Sequence, residues 1–137
     1  MNNPFLKFHH FGLAVRRPDE ARKFASALGY EVPDGPVFDH AQNVYLQMYA
    51  HPSHPPVEIV WPGSASGPVD KLAQRHASGI IYHLCYETDN LAGALAAFEA
   101  AGLAVICISP PQPALLFGGR PVSFYNVAGM GLIEILE

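Results

Sequence analysis

Two histidines and two glutamates recur at matching places along this 137-residue chain. His10 lies in the run FHHFGLAV and His83 in IYHLCYET. Glu58 is held between aliphatics in Val57-Glu58-Ile59-Val60, and Glu134 in Leu132-Ile133-Glu134-Ile135-Leu136. From His10 to Glu58 is 48 residues, and from His83 to Glu134 is 51. A carboxylate amid aliphatics is costly to bury, so each needs a partner or an edge position. Convergence of both pairs on one divalent cation explains all four residues together. Two imidazole nitrogens and two carboxylate oxygens suit Zn²⁺, Ni²⁺, Co²⁺, Mn²⁺ or Fe²⁺. Four protein ligands in an octahedral field leave two positions for water or a bidentate substrate.

The elements that must position these residues repeat as well. Each histidine stands in a β-leaning run. Apolar helical spacing follows it, with Ala21, Phe24, Ala25 and Leu28 in one half and Leu91, Ala94, Leu95 and Phe98 in the other. Gly29 and Gly102 close the two helices, each 19 residues after its histidine. Pro18 suits a first helical turn, and Asp89 or Asn90 suits a cap. Strands are predicted over 30–32, 44–49 and 57–61, then over 103–108, 121–125 and 132–136. The fold class is therefore α+β, with two βαβββ modules at about 6–62 and 80–137 of a single domain, 1–137. A Pro/Gly/Ser linker and a short helix fill about 63–79.

Strand alternation assigns the faces. Phe11, Leu13 and Val15 share the side that packs under a helix. His10, Gly12 and Ala14 share the other, small apart from the imidazole and suited to a cavity wall. His83 and Cys85 likewise stand opposite Leu84 and Tyr86. Core packing is the default reading of Cys85. His9 alternates away from His10, and His40, His51 and His54 fall in loop-like stretches, so none of these four is counted as a ligand.

Composition bounds the partners. Hydrophobic residues make up 50% and charged residues 15%, against roughly 25% charged in typical soluble proteins. Such a chain can bury a substantial core. The formal charge is -4, and Arg16-Arg17 with Arg22-Lys23 is the densest basic patch, so nucleic acid is not an expected partner. No stretch approaches a span of roughly 20 apolar residues, so no membrane partner is expected. Two cysteines outside any CxxC pattern, with no signal-peptide pattern, point to a reducing cytoplasm.

The segments FHHFGLAV, VEIVWPG, SGPVDKLAQRHASGIIYHLCYET, NLAGALAAFEAAGL, GGRPVSFYNV and GLIEILE resemble the vicinal oxygen chelate superfamily. That group includes glyoxalase I, extradiol dioxygenases, antibiotic-resistance proteins and methylmalonyl-CoA epimerases, and the last are the nearest in pattern. The resemblance implies paired βαβββ modules whose curled mixed sheets form a metal-containing cleft. It implies His10, Glu58, His83 and Glu134 as ligands, and a homodimer. It also implies an isomerase or epimerase that moves a proton through a metal-stabilised enolate of a small carbonyl or acyl-CoA substrate. Glu134 is then the base, and Glu58 can return the proton on the opposite face. A departure stands beside this: some epimerases use a further acid from the strand aligned with 44–49, where this chain has no acid and Gln47 is the one amide. Gln47 is accordingly a candidate substrate contact. So are Phe117 and Arg120 in the segment 109–121, which reads as a substrate loop; Arg120 would take a carboxylate or phosphate. A glyoxalase I-like lyase, a ring-cleaving dioxygenase and a binding-only resistance protein are the alternatives.

Overall fold

Alternation along the first strand organises the core. In the computed structural model, which describes residues 2–32 and 34–137, strand β1 spans Lys7–Ala14. Helix α1 (Asp19–Ala27) follows, then β2 (Val37–Asp39), β3 (Val44–Tyr49) and β4 (Val57–Pro62). A short helix, α2 (Asp70–Arg75), leads to β5 (Ile80–Glu87), α3 (Leu91–Ala100), β6 (Val105–Pro113), β7 (Pro121–Val127) and β8 (Gly131–Leu136). The βαβββ order thus occurs twice in a mixed α/β fold.

Packing divides the chain into two units, His10–Tyr82 and residues 2–9 with 83–137. In the first, the strand order is β2-β3-β4-β1, with β1 and β4 parallel and the other pairs antiparallel. Phe11, Leu13 and Val15 pack with Ala21 and Ala25 of α1 and with Tyr49, Val57 and Ile59. On the opposite face, Val69 and Leu72 pack against Ala14, Val44 and Val60. The linker helix therefore belongs to this unit, because Val69 and Leu72 supply the apolar cover for one end of that face.

The second unit repeats the arrangement as β5-β8-β7-β6, with β5 and β8 parallel. Leu91, Leu95 and Phe98 of α3 pack on Tyr125, Ile133 and Ile135. Residues 2–9 join this unit rather than the module that follows them in sequence. Leu6 packs with the Ile133 cluster, and the Asn3 side-chain amide donates to the Ala94 carbonyl at 2.9 Å. Phe8 meets Tyr86 edge-on at 5.6 Å.

Three elements differ from the sequence reading. Residues 30–32 form no strand beyond a single bridge between Glu31 and Ala50, and the edge of the first sheet is instead β2. The segment 109–121 is not one long loop: β6 continues to Pro113, leaving a short turn that contains a 3-10 helix at Leu115–Phe117. Pro110, Pro111 and Pro113 are tolerated because β6 ends its sheet and shifts register on either side of Ser109. Phe24, placed by its spacing on the packed face of α1, is 66% exposed; Ala21 and Ala25 carry the contact.

The second module's helix is capped as its sequence predicts. The Asn90 side chain accepts from the Gly93 amide at 2.9 Å, while Thr88 Oγ1 accepts from the Asn90 amide at 3.0 Å. Asn90→Ala removes the first of these bonds, and the expected loss is about 1 kcal/mol of stability. Urea unfolding should show a lower midpoint at an unchanged slope, with Asn90→Asp close to the parent.

Candidate metal centre

The two parallel strand pairs bring each histidine beside its glutamate. In the first unit Gly12 is the Cα partner of Glu58, two residues beyond His10. In the second, Cys85 is the partner of Glu134, two residues beyond His83. Each glutamate thus lies one pleat diagonally from its histidine, on the same face. His10 Nε2 stands 3.9 Å from Glu58 Oε2, and His83 Nε2 stands 3.8 Å from Glu134 Oε1. All four side chains are buried. The aliphatics beside each glutamate turn to the other face, where Val57 and Ile59 join one core cluster and Ile133 and Ile135 another.

These separations fit cation ligands better than direct hydrogen bonds, which close to about 3.2 Å or less. Ligands at roughly 2.0–2.2 Å from a shared ion stand about 3–3.5 Å apart, a few tenths of an ångström inside the observed pairs. Burial holds the His10 imidazole below its usual pKa, against the opposing pull of Glu58. The neutral ring this favours is the form that ligates a metal. At Glu134, burial pushes the carboxyl up to about 7, although a hydrogen bond from Cys85 and the positive field of His9 draw it the other way. His83 is also edge-on to Phe124, with ring centroids 5.8 Å apart. Each unit therefore carries a desolvated imidazole–carboxylate pair that could hold a divalent ion.

The remaining candidates lie elsewhere. Gln47 is buried, but on the helix-packed face of β3. There its Oε1 accepts from Arg22 Nε at 3.1 Å, Arg22 Nη2 at 3.0 Å and the Tyr49 hydroxyl at 2.9 Å. The substrate contact expected of Gln47 is corrected accordingly: it ties α1 to the sheet. On the Glu58 side, the cross-strand partner from β3 is Met48, so that strand brings no acid to the centre.

Arg120 is tied by Nε to the Glu137 carbonyl at 2.8 Å and by Nη2 to Glu87 at 3.5 Å. It lines an open pocket of about 430 Å³ with Phe5, Lys7, Glu87 and Thr88. Lys7 reaches the same Glu87 at 3.8 Å, so the pocket's cations are already opposed by an acid. Phe117 sits edge-on to His9 at 5.3 Å. His9 and Cys85 are the residues near Glu134 that the sequence reading set aside. Period-two alternation put Cys85 on the His83 face, but its pairing with Glu134 comes from the β5–β8 register. Alternation could not place His9, which packs with a different unit from its neighbour His10.

A sequence profile of the Glyoxalase/Bleomycin resistance protein/Dioxygenase superfamily matches residues 9–124. The chain belongs to this superfamily. Among relatives, it is 23% identical over 134 residues to a mitochondrial methylmalonyl-CoA epimerase of Dictyostelium discoideum, covering 96% of this chain and 78% of that one. It is 25% identical over 123 residues to an ethylmalonyl-CoA/methylmalonyl-CoA epimerase of Cereibacter sphaeroides, covering 88% and 87%. A Streptomyces coelicolor methylmalonyl-CoA epimerase variant, solved with 2-nitronate-propionyl-CoA, superposes with a TM-score of 0.71 at 18% identity. That likeness covers 96% of each chain and shows the shared fold. Among the described residues, no helix is long and apolar enough to cross a membrane.

The raised Glu134 carboxyl has a consequence for the ion-free protein. A carboxyl that holds its proton more tightly when folded stabilises the fold below its unfolded pKa, near 4.5, and that contribution is lost as pH rises to about 7. Glu134→Gln imitates the protonated form and lacks the effect. In chelator-treated protein, parent stability relative to Glu134→Gln should fall on the order of 3 kcal/mol across that window. Above pH 7 the difference should level off. Urea unfolding of both chains at several pH values measures it, and the His10 contribution, common to both, cancels.

Proposed function

We propose that this protein is a metal-dependent epimerase that exchanges the proton on the α-carbon of an acyl-CoA thioester. The observation that carries this reading is the pair of buried His–Glu sets at equivalent positions of the two modules. The superfamily match and the epimerase relatives support it. His10, Glu58, His83 and Glu134 would hold one divalent ion. Bound there, the ion would supply Lewis-acid stabilisation of an enolate oxygen, worth several kcal/mol of barrier.

The proton chemistry falls to the chain's own carboxylates. Glu134, buried and basic for a carboxylate, takes the α-proton and becomes the neutral acid. Glu58, which would hold the ion only when ionised and enters this turnover protonated instead, gives its proton to the opposite face of the same carbon. After one epimerisation the two have exchanged protonation states and are set for the reverse reaction. Glu58 is assigned this role because β3 presents Met48, not an acid, beside it. Arg120 would meet a carboxylate or phosphate of the substrate by giving up Glu87 in exchange, and Phe117 would offer an apolar wall to the acyl chain.

Protein loaded with Co²⁺, Ni²⁺, Mn²⁺ or Zn²⁺ and incubated in deuterated solvent should place one deuterium on the α-carbon of methylmalonyl-CoA, read by mass spectrometry. Glu134→Gln should slow this by about 10²–10⁴-fold with the ion still bound. Turnover confined to 2-oxoaldehyde–thiol adducts would instead make the protein a glyoxalase-type lyase. Failure to bind any of these ions, with no exchange, would leave the binding-only reading.

A further inference from the structure

The two modules repeat their ligands but not what stands beside them. Directly across from Glu58 in the register is Gly12, which has no side chain; directly across from Glu134 is Cys85. Cys85 is 0% exposed and Glu134 is 5% exposed, so water is largely shut out of their contact. The register sets the Cys85 thiol beside the Glu134 side chain, and as a hydrogen-bond donor there it lowers the pKa of the Glu134 carboxyl against the burial that raises it. The thiol's other acceptor is the Tyr86 carbonyl, 3.9 Å from Sγ, at the far limit for a sulfur donor. An ionised carboxylate is the stronger acceptor of the two.

We propose that Cys85 is a positioning residue, whose thiol fixes the Glu134 carboxylate in the orientation that presents Oε1 beside His83 Nε2. A carboxylate on a strand can swing about its last torsion, which is broad and roughly twofold. A donor on the neighbouring strand at the same level removes that freedom. A thiol suits the task because it is a weak donor and directs the group without drawing off much of its charge. The equivalent position beside Glu58 is a glycine, so the repeat offers a side-chain donor from that register position to Glu134 and not to Glu58. This rests on the proposed function only for its kinetic consequence; the contact and its effect on ion binding do not require turnover.

The experiment uses a Cys107→Ala background, which leaves Cys85 as the one thiol of the chain's two. At alkaline pH, the infrared S–H stretch of the ion-free parent should lie at lower frequency than in Glu134→Leu, with Glu134→Gln between them. If Glu134→Leu does not fold, the parent–Gln comparison carries the test. Cys85→Ala should weaken Co²⁺ binding by roughly tenfold and lower kcat for α-proton exchange about three- to tenfold at unchanged KM. Cys85→Ser, which restores a donor, should recover both. An S–H band that is the same in the parent and the Glu134 variants overturns the proposal. So does Co²⁺ affinity in Cys85→Ala within twofold of the parent. Shifted bands and weakened Co²⁺ binding in a protein without exchange activity would uphold the positioning role and refute the epimerase reading instead.

Discussion

A carboxylate removed from water must be compensated where it stands, and this fold removes two. Glu58 and Glu134 each sit in a strand flanked by residues that complete an apolar core on the reverse side. Moving either strand by one residue would turn its glutamate into that core and its isoleucines outward. Register, face and helix coverage are therefore tied to the same buried charge. The parallel pairing of β1 with β4, and of β5 with β8, resolves the constraint by setting an imidazole one pleat away. An unpaired buried ion costs several kcal/mol, so the pairing is a condition of folding in this register as well as a source of chemistry.

Much of this was legible in the sequence because it follows from short-range periodicity. Alternation separated His10 and Gly12 from Phe11 and Leu13, and helical spacing ended at Gly29 and Gly102. A lone acid between aliphatics marked both of the strands that carry a glutamate. The less legible features depend on pairing partners that no local period encodes. Strand β2 is three residues long and is defined by its ladder to β3. The proline-rich end of β6 reads as loop, yet an edge strand with shifted register asks little of its missing amide donors. Gln47 looked like a polar residue available to a substrate. The ladder from Glu58 through Met48 shows that its side chain points to the other face, where Arg22 and Tyr49 take up its oxygen.

Module boundaries illustrate the same limit. Hydrophobic runs suggested two halves that begin with their own first strands. Residues 2–9 instead pack with the unit built from the second half, and α2 with the unit built from the first. Leu6 and Val69 are ordinary core residues in the sequence; which core they enter is decided by tertiary contacts. That is why His9 was set aside on alternation alone. Its alternation relative to His10 is as expected, but its surroundings are those of Glu134 and Phe117.

A duplicated ligand set would give two equivalent carboxylates if the surroundings were duplicated too. They are not. Glu58 has Gly12 and Met48 as its cross-strand partners, neither of which offers a strong donor. Glu134 has Cys85 and Phe124, a thiol on one side and an aromatic ring on the other. For the proposed proton transfer this asymmetry would have a use. The group that meets the α-proton must be held at a defined distance and angle from carbon, where a displacement of about 1 Å can cost 10²-fold in rate. Under the proposed proton transfer, the thiol level with Glu134 is the feature that would hold that carboxylate to its angle.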